Sequence, residues 1–188
     1  MRRPALFLDR DGVINVNHGH VHKVENFDFI DGIFDLVKEA NRLSMLVIIV
    51  TNQGGIGRGL YSEEVFHALM CWVIDVFKEN DAVIDDVYFC PYHPECGEGE
   101  YKRPSNYRKP NPGMILRAAR DHNIDMSRSV MVGDKRTDMH AAKTAGIEEF
   151  YLLSRTEKYP DAHIITSCLL YTSPNPRDAT LSRMPSSA

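Results

Sequence analysis

The chain has 188 residues, with 22 lysines and arginines against 26 aspartates and glutamates, for a formal net charge of -4. This length suits one domain with at most a small inserted cap, and the average composition (43% hydrophobic, 26% charged) excludes collagen-like, disordered and disulfide-scaffold proteins. Basic residues do not outnumber acidic ones, which argues against a nucleic-acid partner. The apolar runs are too short to span a bilayer, and no signal peptide opens the chain, so we expect a cytoplasmic protein without a membrane partner.

The last stretch, residues 168–188, shows neither helical nor strand periodicity. It resembles a translated sequencing adapter, so we expect residues 1–167 to form the domain and 168–188 to be a non-native, disordered tail. A natural disordered tail is the alternative. On the first interpretation the natural C-terminus is missing, including a last helix after Thr166.

Short apolar runs alternate with amphipathic segments along the rest of the chain. In chain order we predict strands at 5–8, 46–51, 87–90, 130–132 and 150–153. Helices are predicted between them at 33–43, 62–77, 114–122 and 137–145. The strand segments are almost continuously apolar, as in parallel strands buried on both faces. The pattern predicts an α/β fold, a doubly wound parallel sheet with helices on both faces. Residues 91–112 form a connection long enough to be a functional loop.

Polar sets follow the strand segments, where ligands bind in parallel sheets. They are Asp9-Arg10-Asp11-Gly12, Thr51-Asn52-Gln53-Gly54-Gly55, Arg108-Lys109 at the end of the long loop, and residues 133–138 with Asp134, Lys135 and Asp138. On an extended chain Asp9 and Asp11 would project to one side and, together with Asp134, would place three carboxylates close together, which requires a hard divalent ion, Mg²⁺ by default. The cations Lys109, Lys135 and Arg108, with donors at Thr51 and Asn52, would complete a pocket for a phosphoryl group.

A mechanism follows from this arrangement. Asp9 would attack phosphorus and form an aspartyl phosphate, while Mg²⁺ and Lys109 neutralise the equatorial oxygens. Asp11 would protonate the leaving group and then activate water. A turn or calcium-like loop also fits an isolated D-x-D-G. A receiver-like signalling module, which likewise carries an acceptor Asp, a Thr and a Lys at strand ends, is the alternative of another class, but it has no need of Asp11.

The motifs FLDRDGVIN (7–15), TNQ (51–53), RKPNPGM (108–114) and VGDKRTD (132–138) resemble the haloacid dehalogenase (HAD) superfamily. Within it they are most similar to the group of heptose-bisphosphate and histidinol phosphatases. The resemblance implies a HAD-like, Rossmann-type fold without a large cap, Asp9 as nucleophile, Asp11 as proton donor, Thr51 and Lys109 as further catalytic residues, and Mg²⁺ on Asp9, the backbone carbonyl of Asp11 and Asp134, with Asp138 behind them. It implies substrate contacts from Asn17, His18, Gly19, His20, Thr51, Asn52, Gln53, Gly54, Arg108, Lys109 and Lys135.

The implied substrate is a small phosphorylated sugar, a heptose 1,7-bisphosphate used in the synthesis of lipopolysaccharide core. The group removed would be its 7-phosphate. Histidinol phosphate or another small phosphomonoester is the alternative. The small, cap-free layout suggests a monomer.

The long loop departs from the zinc-bearing members of this group. Their four zinc ligands correspond to Cys90, Tyr92, Ser105 and Tyr107 here, so a single ligand is kept and zinc is not expected. A set of Cys90, His93 and Cys96 falls one ligand short of a closed zinc site. The loop would then be held by packing of Tyr92, Tyr101 and Tyr107. The imidazoles of His18, His20 and His22 could form a metal cluster, but solvated or substrate-facing roles are favoured.

Overall fold

The computed structural model describes residues 2–154, 156 and 158–167. Its six-stranded sheet has the order β3-β2-β1-β4-β5-β6, and every neighbouring pair is parallel. The strands are β1 (Ala5–Leu8), β2 (Leu46–Asn52), β3 (Asp86–Cys90), β4 (Val130–Gly133), β5 (Glu149–Leu153) and β6 (His163–Ile165). The predicted doubly wound α/β sheet is confirmed.

The helices are α1 (Ile33–Arg42), α2 (Gly54–Gly57), α3 (Glu63–Glu79), α4 (Gly113–Asp121) and α5 (Arg136–Ala145). Short 3-10 turns lie at Val24–Asn26, Gly99–Tyr101 and Met126–Arg128. The start of α3 has a physical cause in the sequence, because the Ser62 side chain accepts the N–H of Val65 and two glutamates open the first turn. Glycine 146, with a φ of 90°, ends α5.

Two hydrophobic clusters lie on opposite faces of the sheet, as the alternation along β1 shows. Leu6 and Leu8 belong to the cluster that packs against α1 and α3, whereas Ala5 and Phe7 belong to the cluster that packs against α4 and α5. Since both faces are covered, the strands read as continuous apolar runs.

Two elements differ from the sequence prediction. The segment 54–57 forms a short helix and 163–165 forms an edge strand, and neither element was predicted. Three glycines among the four residues of the first segment conceal any helical pattern, and the second has only three residues, two of them exposed, which are too few to show alternation. The predicted tail, 168–188, lies outside the described residues, and so does the segment in which a last helix after Thr166 was expected.

The central strand β1 has β2 on one side and β4 on the other. Strands β2 and β3 are added on one side of β1 and strands β4 to β6 on the other, so the strand order reverses at β1. Such a switch point opens a crevice at the carboxyl ends of the strands. Asp9, directly after β1, donates its backbone N–H to Val132 in β4 at 3.0 Å, which brings the β1 and β4 ends together. Within the part of the chain that the structure describes, no helix is long and apolar enough to cross a membrane.

Candidate active site

A cavity of about 290 Å³ opens at the carboxyl ends of β1, β2 and β4. Its lining combines residues from all four polar sets with the segment that follows the first one. It is lined by Asp9, Asp11, Asn17, Gly19, His20, Thr51, Asn52, Gln53, Tyr61, Lys109, Lys135, Thr137 and Asp138. The structure therefore brings together most of the residues that the sequence singled out.

Three carboxylates lie together beside this cavity, those of Asp9, Asp134 and Asp138, and each offers one oxygen within 4.8 Å of the others. Burial and the nearby charge of Asp9 raise the pKa of Asp134 to about 7. The Oδ1 atom of Asp134 is buried without a hydrogen-bond partner among the described residues. An unpartnered buried carboxylate oxygen beside a second carboxylate fits a hard divalent cation such as Mg²⁺.

The composition of this cluster corrects one expectation, because Asp138 and not Asp11 supplies its third carboxylate. The prediction assumed an extended chain through Asp11, but the chain turns directly after Arg10, whose carbonyl accepts the N–H groups of Ile14 and Asn15 at 2.8 and 3.1 Å. The carboxylate of Asp11 therefore lines the cavity without joining the cluster.

Both oxygens of Asp138 are already engaged within the protein. Oδ1 lies 2.7 Å from Nζ of Lys109, and Oδ2 accepts the backbone N–H of Lys135 at 3.0 Å at the start of α5. Asp138 is 1% exposed, so this is a buried supporting carboxylate. Asp9 and Asp134 are left as the carboxylates best able to hold a cation.

Lys109 is the central cation of the site and its side chain is 2% exposed. Its Nζ donates to Asp9 Oδ1 at 2.8 Å and to the carbonyl of Val50 at 2.7 Å, besides its contact with Asp138. Burial lowers the pKa of Lys109, but the charges of Asp138 and Asp9 outweigh it, so the net shift is upward and the ammonium form persists. Asn52 fixes the backbone of this lysine by a reciprocal pair of 3.0 Å bonds, donating to its carbonyl and accepting its N–H.

Asp11 sits among donors. Its carboxylate accepts from Arg10 Nη2 at 2.8 and 2.9 Å, from Asn15 Nδ2 at 3.1 Å and from Gln53 Nε2 at 3.2 Å. Gln53 in turn donates to Thr51 Oγ1 and accepts the hydroxyl of Tyr61 at 2.6 Å. These bonds fix the carboxylate of Asp11 at the cavity wall.

Four predicted residues do not line the cavity: His18, Gly54, Arg108 and Asp134. His18 is turned away and pairs with Asp28 at 2.7 Å on the surface. Gly54 opens α2, and Asp134 lies behind the lining in the carboxylate cluster. Arg108 is half-buried, and its Nη1 donates to the carbonyl of Tyr92 at 3.1 Å.

Two lining residues, Tyr61 and Thr137, were not among the predicted ones. Thr137 lies inside the motif 132–138, at the second residue of α5, and its place in that motif could have pointed to it. Tyr61 follows α2, an element that the sequence did not reveal, so no signal pointed to it.

Comparison with known proteins places this geometry in a family. The HAD-hydrolase-like family model matches residues 106–166. The chain is 49% identical over 178 residues to D-glycero-alpha-D-manno-heptose-1,7-bisphosphate 7-phosphatase of Burkholderia mallei, covering 95% of this chain and 92% of the relative. The chain belongs to the haloacid dehalogenase superfamily, in the family of these phosphatases.

Other relatives agree with this placement. The D-glycero-beta-D-manno-heptose-1,7-bisphosphate 7-phosphatase of Vibrio cholerae is 51% identical over 147 residues, which cover 78% of this chain and 79% of that one. The crystal structure of a HAD-like phosphatase from Mesorhizobium loti superposes with a TM-score of 0.80 at 36% identity, covering 87% of this chain and 78% of that one.

The long loop of this HAD family member does not fit the zinc ligand set of zinc-bearing members. Of the four positions that correspond to zinc ligands, Cys90 alone keeps a zinc-ligating residue type, and burial raises the pKa of its thiol. Among the described residues, no histidine or cysteine belongs to a group of three or more potential metal ligands. The three ligands Cys90, His93 and Cys96 are thus not brought together, nor are His18, His20 and His22.

Tyrosines take part in holding this loop, as predicted. The rings of Tyr92 and Tyr101 are 5.8 Å apart, the guanidinium of Arg103 lies 4.2 Å from the Tyr92 ring centre, and the Tyr101 hydroxyl donates to Glu63 at 3.0 Å. The backbone closes the loop as well, since His93 donates its N–H to the carbonyl of Tyr101.

Proposed function

We propose that the protein is a Mg²⁺-dependent phosphatase that removes the 7-phosphate of D-glycero-D-manno-heptose 1,7-bisphosphate, in the synthesis of nucleotide-activated heptose for lipopolysaccharide core. The observation that carries the proposal is the position of Asp9, which faces the cavity with Lys109 at 2.8 Å and Asp134 beside it. The names of the relatives that are 46–51% identical support the substrate.

In the first step, Asp9 attacks phosphorus, the bond from phosphorus to the sugar oxygen breaks, and that oxygen takes a proton from Asp11. In the second step, Asp11 removes a proton from water, which attacks the aspartyl phosphate and frees Asp9 and phosphate. Lys109 keeps one oxygen of Asp9 fixed, so that the other oxygen faces the substrate. Mg²⁺, held by Asp9, Asp134 and the backbone carbonyl of Asp11, would supply the positive charge that offsets the phosphoryl oxygens.

A group of basic side chains beside Gly54, the residue that follows the lining residue Gln53, favours a substrate with a second phosphate. Arg58, His93 and Arg108 are near enough that repulsion from Arg58 contributes to the lowered pKa values of His93 and Arg108, after burial as the main cause. A second phosphate would relieve this repulsion, whereas the ammonium group of histidinol phosphate would add to it. Asn17 and His20 at the wall supply polar groups for sugar hydroxyls.

The remaining features of the proposal concern the state of the protein. We propose a cytoplasmic monomer that needs neither zinc nor a nucleic-acid or membrane partner, with residues 1–167 as the catalytic domain and 168–188 as a non-native tail.

The test is phosphate release with Mg²⁺ from both anomers of heptose 1,7-bisphosphate and from histidinol phosphate. We expect kcat/KM for a heptose anomer to exceed that for histidinol phosphate by about 100-fold, which is about 2.7 kcal/mol of transition-state discrimination. Asp9→Asn should abolish turnover, and Asp35→Asn, an exposed carboxylate on α1, should not change it. Full activity of Asp9→Asn would refute the mechanism, and preference for histidinol phosphate would refute the substrate.

A further inference from the structure

Arg10 is a fully buried arginine, with 0% of its surface exposed, at the junction of two parts of the site. Its Nη2 donates to both carboxylate oxygens of Asp11, at 2.8 and 2.9 Å, and to the carbonyl of Val21 at 2.7 Å. Since Nη2 carries two hydrogens, one is shared by the carboxylate and the other goes to the carbonyl. One nitrogen therefore joins Asp11 to the segment 16–22, which contributes Asn17, Gly19 and His20 to the cavity.

The rest of the guanidinium is poorly accommodated. Nε and Nη1 are buried and have no hydrogen-bond partner among the described residues. The aromatic rings of Phe27 and Phe66 lie 5.9 and 5.8 Å from the guanidinium carbon and belong to the hydrophobic core. Buried donors without acceptors lower stability, and a hydrophobic side chain of similar volume would pack there without them. Packing alone therefore does not account for an arginine at this position.

We propose that Arg10 is a positioning residue for the proton donor: anchored on the carbonyl of Val21, it holds Asp11 at the cavity wall. The proposal rests on the function proposed above, in which Asp11 protonates the sugar oxygen. Asn15 and Gln53 also donate to Asp11, but both side chains are neutral. Among the described side chains that donate to Asp11, Arg10 is therefore the charged one. Without that bond the carboxylate is free to adopt other rotamers, and protonation of the leaving oxygen becomes slower.

Leaving-group dependence separates this role from a structural one. A sugar alkoxide needs a proton as it leaves, whereas p-nitrophenolate is a good leaving group without one. We expect Arg10→Met to lower kcat/KM for heptose bisphosphate by about 100-fold, in the range of a general-acid contribution, and that for p-nitrophenyl phosphate by less than about fivefold. Both values come from the same sample, so the ratio between them does not depend on the fraction of folded enzyme.

A double-mutant cycle shows whether Arg10 acts through Asp11. Asp11→Asn should change the ratio in the same direction, and adding Arg10→Met to Asp11→Asn should cause little further loss on the sugar substrate. Arg10→Lys keeps a charge that reaches Asp11 or Val21, and should give a ratio between those of the wild type and Arg10→Met. If Arg10→Met does not fold, the ratio measured with Arg10→Lys tests the inference instead.

Phe66→Leu is the matched control, since it removes a ring beside the guanidinium and leaves the bond to Asp11 in place. It should lower stability without changing the ratio. Two results would overturn this inference while leaving the proposed function intact. One is an equal loss of kcat/KM on both substrates in the Arg10 variants, and the other is a loss that adds in full to the loss caused by Asp11→Asn. An unchanged ratio in Asp11→Asn would instead refute the proton-donor role in the proposed function, and the inference with it.

Discussion

Replacing Asp134 by asparagine should make the metal-free protein more stable at alkaline pH while abolishing its response to Mg²⁺. Burial and the charge of Asp9 raise the pKa of Asp134 from 3.8 to about 7. Because the pKa is raised on folding, the folded state binds the proton more tightly than the unfolded state, so stability falls as the pH rises from about 4 to about 7. A difference of about 3 pKa units corresponds to about 4 kcal/mol above pH 7. Asparagine has nearly the same shape and no charge, so it avoids this loss.

The assay is urea unfolding in EDTA and in excess Mg²⁺. In EDTA at about pH 8, we expect Asp134→Asn to be more stable than the wild type by about 4 kcal/mol, with the difference shrinking towards pH 4. Excess Mg²⁺ should stabilise the wild type and leave Asp134→Asn unchanged, because binding to the folded state is what raises stability. Asp35→Asn, on the exposed side of α1, should stay within about 0.5 kcal/mol of the wild type. An Asp134→Asn protein that is less stable than the wild type in EDTA at about pH 8 would refute the reasoning.

Three further outcomes are expected. Lys109→Met should lose about 3–5 kcal/mol in urea unfolding, together with phosphate release, because it leaves two buried carboxylates unpaired; unchanged stability would contradict the ion pairs. At Gly12, where φ is 95°, an added Cβ would overlap Asp134 Oδ2, so Gly12→Ala should abolish stabilisation by Mg²⁺. Gly146 has a similar φ of 90° but open space around it, so Gly146→Ala should keep that stabilisation; equal behaviour of the two variants would contradict the contact. The apparent Mg²⁺ affinity should fall about tenfold per pH unit below about pH 7, because Mg²⁺ must displace the proton of Asp134, and titration calorimetry showing no such fall would contradict it.

The sheet could be predicted because its strands are buried on both faces. The predicted strand boundaries differ from the structure by at most one residue for β1 to β5, since continuous apolar runs end where the chain leaves the sheet. β6 was missed because an edge strand of three residues with two exposed side chains has too little apolar pattern.

The site could be predicted only as far as strand ends determine it. Asp9 directly follows its strand, and the sheet order alone brings it beside Asp134. The direction of Asp11 depends instead on the turn after Arg10, and that of His18 on its pairing with Asp28. Such turns are set by tertiary contacts, which leave no periodic signal in the sequence.

The buried charges divide the carboxylates of the site into two kinds. Lys109 pairs with Asp9, and Arg10 pairs with Asp11, so the proposed nucleophile and the proposed proton donor each have a permanent buried cation. Among the described residues, the ion pair of Asp134 is with a half-exposed lysine at 3.3 Å, and one of its buried oxygens has no hydrogen-bond partner. Since the permanent cations are part of the chain, both catalytic carboxylates can stay in place while an exchangeable cation binds and leaves at Asp134. Of the two carboxylates proposed to hold the metal, Asp134 is therefore the one without a buried cation of its own, which explains why an uncharged substitute there should separate metal binding from folding.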